Sequence, residues 1–108
     1  MHSKTDKQIR LTAKIFNALS DSTRLKILEF LRTGEKCVCE IIPYVGLVQP
    51  VVSRHLKILK NSGLVKDRKD GTKRLYSITE PRIFDVMDAA TPELLDLLSR
   101  RIVEQMTC

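Results

Sequence analysis

No apolar run in this 108-residue sequence is long enough to cross a bilayer, and its first residues lack the basic, apolar, then small-residue order of an export signal. The expectation is a soluble, cytoplasmic protein with no membrane partner. A glycine-rich phosphate loop is missing, and neither of the two histidines lies close in sequence to a candidate nucleophile. A chain this short also leaves little room for a cleft, so no enzymatic activity is expected. Cysteine is scarce and odd in number: Cys37, Cys39 and Cys108. Without an export signal three cysteines do not make a disulfide framework, and free thiols are the expected state. There is no internal repeat and no low-complexity linker, so residues 1–108 read as one domain. A body of this size buries a modest core and keeps apolar surface in need of a partner, which makes self-association plausible.

What is abundant is positive charge in one place. The net charge is +6, and the stretch from Gln49 to Tyr76 carries eight basic residues (Arg54, Lys57, Lys60, Lys66, Arg68, Lys69, Lys73, Arg74) against Asp67 and Asp70. The remainder of the chain is balanced, eleven basic against eleven acidic. A basic excess confined to one segment is the footprint of a polyanion-binding surface, although a solvated face that keeps a protein soluble has the same composition. The elements that carry the charge decide between these.

From Lys7 to Leu19, Ile9, Ala13 and Phe16 form one stripe with Leu11, Ile15 and Leu19 beside it, the pattern of an amphipathic helix. Ser20 and Asp21 offer a cap for the next, Ser22 to Arg32, whose apolar residues Leu25, Ile27, Leu28, Phe30 and Leu31 cover most of its circumference and predict a central position. A short helical stretch follows, with Val38, Ile41, Ile42 and Val45 at i, i+3, i+4 and i+7, until Gly46. Pro50 suits a first helical turn and Gly63 a stop, predicting a helix from about Pro50 to Ser62. Around that helix Val52, His55, Leu56 and Leu59 share one side; Pro50, Ser53, Arg54, Lys57 and Asn61 share the other. His55 is thereby expected in the core or bonded to backbone rather than on DNA or a metal. LVKDRKDGTKRLYSI then reads as two basic strands around the turn-forming pair Asp70-Gly71. Thr79 and Pro81 open a last helical region, kinked or restarted at Thr91-Pro92.

A short helix, a glycine-containing turn and a second helix with a cationic outer face make a helix-turn-helix whose second helix can enter the major groove. With the basic hairpin behind it the fold class is a winged helix, mainly α with a small β wing. Gln49, Ser53, Arg54 and Lys57 are candidates for base edges or nearby phosphates; Lys60, Lys66, Arg68, Lys69, Lys73 and Arg74 supply sequence-independent charge.

The residues LSDSTRLKILEFL, EKCVCEI and VVSRHLKILKNSGLVKDRKDGTKRLYSI resemble the ArsR family of arsenic- and metal-responsive repressors over about Leu19 to Ile78. The resemblance implies a homodimer that holds double-stranded operator DNA when empty and lets go when a thiophilic ion binds. It also implies that helices in about 7–19 and 81–106 form the dimer interface, while about 37–78 hold the helix-turn-helix and wing. The unpartnered apolar positions Leu94, Leu95, Leu98, Ile102 and Met106 agree with this.

Cys37, Cys39 and Cys108 are the candidate ligands, with no constitutive cofactor and with arsenite or antimonite as inducer. If Cys37 and Cys39 were both helical they would project about 200° apart, so gripping one ion would unwind the helix start. Pro43 has no amide for the Cys39 carbonyl, which already loosens that turn. Family arsenic sensors often carry a third cysteine where this chain has Ile42; Cys108 of the same or the partner subunit is the candidate third thiolate, the alternative being a disordered terminal residue. Cadmium and lead also accept two or three thiolates. A zinc site on the last helix is not expected, because that region has no histidine and only Asp85, Asp88, Glu93, Asp96 and Glu104. Rival readings are a thiol redox switch, with an intersubunit bond preferred to a strained Cys37–Cys39 disulfide, buried structural cysteines, and an architectural DNA binder that senses nothing.

Overall fold

A computed structural model describes residues 3–106. The chain runs α1 (Asp6–Leu19), α2 (Ser22–Leu31), β1 (Lys36–Cys37), α3 (Val38–Val45), α4 (Gln49–Asn61), β2 (Val65–Asp70), β3 (Lys73–Ile78), α5 (Ile83–Asp88) and α6 (Pro92–Met106). Local chemistry explains the boundaries. Thr5 and Gln8 close a reciprocal cap on α1, and the Asp21 carboxylate accepts from the Arg24 amide to start α2. Gly46, in the left-handed region at φ 72°, ends α3 and donates its amide to the Ile42 carbonyl, making the turn into α4. In the wing, Asp70 pairs with Lys73, so the tight turn is Gly71-Thr72, one step later than Asp70-Gly71, and Gly71 takes the positive φ of 63°.

The core is built where the helix-turn-helix needs rigidity. Ile27, Leu28 and Leu31 of α2, Ile41 of α3, and Val52, Leu56 and Leu59 of α4 meet Val65 and Tyr76 of the wing and Ile83 and Phe84 of α5. Helix α2 is central as expected, with one exception. Leu25 stays exposed, close to the outward-facing Phe16 and Val86. Phe30 stacks on Tyr44 with ring centroids 4.1 Å apart, fastening α2 to α3.

Two features go beyond the expectations. The hairpin of β2 and β3 is present as expected, and β1 adds a third strand that was not expected, in the order β1-β3-β2, with Lys36 opposite Tyr76 and Cys37 opposite Leu75. Two residues give no alternation, so no periodicity could announce this strand. The last region, 81–106, restarts at Pro92 as expected, and its two helices have different fates. Helix α5 buries Ile83 and Phe84 in the core, and only α6 leaves every residue exposed.

Candidate nucleic-acid interface and thiol pair

Helix α4 buries Val52, Leu56 and Leu59, which turns Gln49, Ser53, Arg54 and Lys57 outward together. His55 lies on the packing side, as its position on the wheel predicts, but its partner is a side chain: Nδ1 is 3.2 Å from a guanidinium nitrogen of Arg24. Arg24 also donates to the carbonyl oxygens of Ala18 and Asn17, and the Asp21 carboxylate lies 3.8 Å from His55. The end of α1, the start of α2 and the middle of α4 are thus joined through one guanidinium.

The ten candidate DNA-binding residues divide into groups. Gln49 and Ser53 from α4 and Lys73 and Arg74 from the wing line a common groove, with Thr72 and Tyr76. Arg54, Lys57, Lys66, Lys69 and Lys73 make no ion pair with any described residue. The other three of the eight cations, Arg74 among them, are engaged. Lys60 and Arg74 hold the Asp67 carboxylate at 2.9 and 2.7 Å, and Arg68 forms a two-pronged pair with Glu35, 2.9 and 2.8 Å. The Lys60 and Arg74 contacts keep the Asp67 carboxyl below the usual aspartate range, and Arg68 does the same for Glu35. Sequence reasoning missed these pairs because Glu35 lies outside the basic segment, and the Asp67–Lys60 contact requires the wing to fold back on α4.

The thiol pair departs most from expectation. Cys37 is not helical: it is the N-cap of α3, extended at φ −71° and ψ 146°, and its sulfur accepts the Cys39 amide at 3.1 Å. The Glu40 side chain returns to accept the Cys37 amide at 3.0 Å. A cap side chain folds over the first turn, so it meets the second helical residue without any unwinding. The anticipated separation of about 200° assumed two helical positions and does not apply. The two Cα atoms are 5.1 Å apart and the sulfurs are joined as a disulfide, where free thiols were expected. Cys37 is buried at 4% exposure and Cys39 is exposed, so the pair has an inner and an outer sulfur. Both line the groove that holds Gln49, Ser53, Lys73 and Arg74. Cys108 lies outside the described residues, and among those described no group of three or more His, Cys, Asp or Glu side chains could hold an ion.

A helix-turn-helix with a basic recognition helix and a wing defines a DNA-binding regulator. The chain belongs to the ArsR family: residues 21–67 match the family model described as bacterial regulatory protein, arsR family. It is 40% identical to the arsenical resistance operon repressor of Staphylococcus aureus over 73 residues, 68% of this chain and 70% of that protein. It is 45% identical over 76 residues to a "Probable mercury resistance operon repressor" of Streptomyces lividans, covering 70% of this chain and 61% of that one. The chain thus spans about six-tenths of the length of that relative. The homodimeric winged helix-turn-helix DNA-binding domain Mb0332 of Mycobacterium bovis superposes with a TM-score of 0.75 at 30% identity, over 89% of this chain and 94% of that one. Proteins of this family are DNA-binding transcriptional regulators, not enzymes.

Proposed function

We propose that this regulator is a homodimeric repressor that binds double-stranded operator DNA through α4 and the wing, and releases it when a thiophilic ion binds Cys37 and Cys39. Arsenite or antimonite is the inducer this reading favours. The observation that carries it is the convergence of two sulfurs in the groove that also contains Gln49, Ser53, Lys73 and Arg74. Two adjacent sulfurs suit a soft ion once reduced, and the Cys39 amide already bonds the Cys37 sulfur at 3.1 Å. Coupling to DNA needs no long path. Cys37 is paired with Leu75, next to Arg74 on the wing strand, and Cys39 lies on the helix that supports α4, so a change of geometry at the sulfurs acts on both DNA-facing elements. Arg54 and Lys57, with Gln49 and Ser53, read the groove; Lys66, Lys69 and Lys73 are the cations free to meet phosphate.

Cys108 is the third thiolate in this reading, from the same or the partner subunit. Relatives associated with arsenical and with mercury resistance support a soft ion without choosing one. The homodimeric relative and the bare apolar face of α6 support the dimer.

The disulfide favours a second reading, in which oxidation of the pair is itself the signal. One experiment separates the two: DNA-shift titration in reducing buffer with arsenite, antimonite, cadmium, lead and zinc, and separately with peroxide, repeated with each cysteine changed to serine. Release by arsenite that is lost in Cys37→Ser and Cys39→Ser supports ion sensing. Release by peroxide alone contradicts it, and an unchanged response in Cys108→Ser removes the third thiolate.

A further inference from the structure

An acidic residue in a strand that faces a polyanion weakens binding unless it does something else, and Asp67 sits in the middle of the wing's basic run. Its side chain is only 8% exposed, and it draws in Lys60 from the last turn of α4 and Arg74 from β3, at 2.9 and 2.7 Å. Three elements meet on one carboxylate: the recognition helix and both strands of the hairpin. Lys60 and Arg74 are themselves about half exposed, so they stand at the surface while their charge is tied inward.

We propose that Asp67 is a specificity-determining residue of the DNA-binding face, withholding Lys60 and Arg74 from phosphate and fixing the angle between wing and recognition helix. Phosphate contacts are blind to sequence and supply nearly all non-specific affinity, whereas base contacts discriminate. Drawing two surface cations onto one carboxylate removes one net positive charge and directs both side chains inward, which lowers the sequence-independent part, and anchoring the wing to α4 keeps Gln49, Ser53 and Arg54 in one orientation. Five cations of the basic segment then remain unpaired, since Glu35 engages Arg68. The slope of log K against log salt is correspondingly about 4.5 per protomer if all five reach phosphate, rather than about 7 for all eight.

The inference rests on the reading of this face as DNA-binding, and its test is a salt titration of full-length protein on a random-sequence duplex. Asp67→Asn keeps the volume, frees both cations, and is expected to steepen the slope by about 0.9 for each that reaches a phosphate. The triple variant Lys60→Gln, Asp67→Asn, Arg74→Gln replaces the clamp by neutral amides and is expected to keep the wild-type slope. A slope shallower by about 1.8 per protomer in the triple variant would show that Lys60 and Arg74 already sit on phosphate, and would overturn the inference. An unchanged slope in a folded Asp67→Asn would do the same. Should Asp67→Asn fail to fold, the triple variant still decides whether the cations are withheld. On a duplex selected from a random pool by the wild-type protein, Asp67→Asn is expected to lower the ratio of specific to random-sequence affinity; an unaltered ratio removes the specificity role. Wild-type protein that binds no duplex at all would contradict the DNA-binding reading itself, an outcome distinct from these.

Discussion

Helices α4 and α6 are both amphipathic, yet they solve their apolar faces in opposite ways. Helix α4 puts Val52, Leu56 and Leu59 into the core and turns a cationic side to solvent; α6 leaves Leu94, Leu95, Leu97, Leu98, Ile102, Val103 and Met106 uncovered and buries nothing. Helix α1 behaves like α6 over its first three turns, with Ile9, Leu11 and Phe16 exposed. The difference separates two kinds of demand. The needs of α4 are met inside the protomer, and what it offers outward is charge. What α6 offers outward is apolar surface, which water disfavours and a second copy of the chain can cover.

Four substitutions break or sharpen that contrast, in falling order of effect. Leu56→Ala opens a cavity under α4 and is expected to cost about 2–5 kcal/mol of protomer stability, read by denaturant unfolding. Leu98→Glu on α6 is expected to leave the protomer folded but monomeric in sedimentation, and to weaken binding to a two-half-site duplex by about 100-fold through lost bivalency. A Leu98→Glu protein that unfolds instead would place α6 inside the core account rather than outside it. Arg54→Ala, on the charged side of α4, is expected to lose about 1–3 kcal/mol of binding at a selected site, with dimerisation unchanged. Asp21→Ala removes the cap of α2 and is expected to cost about 1 kcal/mol. The Asp21 carboxyl is held below its ordinary 3.8, first by the Arg24 amide, so its contribution is present above that pH and fades as acid protonates it; thermal melts of wild type and Asp21→Ala should converge in acid.

The clamp on Asp67 follows the same sign. Its carboxyl is also depressed, chiefly by Lys60 and then Arg74, so the clamp is intact near neutrality and loosens only as pH falls through the depressed value.

The sequence announced whatever repeats along a helix or sits at a turn. Val52, Leu56 and Leu59 recur at helical spacing, Gly46 and Gly71 mark the turns, and the cations cluster between 49 and 76, so the recognition helix and wing were legible before any coordinates. Three features were not. The strand Lys36–Cys37 is too short to carry a pattern, and its existence depends on Leu75 and Tyr76 far along the chain. Cys37 looked helical because the apolar spacing starts at Val38, and nothing in spacing tells a cap from a first turn; the Glu three residues on, Glu40, was the available sign. The pairing of Arg68 with Glu35 and of Asp67 with Lys60 and Arg74 arises only from tertiary proximity. Local periodicity thus located the basic surface and a local cap gathers the sulfurs, while the ion pairs on that surface came from tertiary packing.

The central claim is that the thiol pair and the DNA face are energetically coupled, and coupling between two ligands is reciprocal. The most direct measurement is the arsenite affinity of the reduced protein, alone and saturated with a duplex it binds. The expected result is weaker arsenite binding on DNA, by the same factor by which arsenite weakens DNA binding. Equal arsenite affinity with and without DNA would contradict the account.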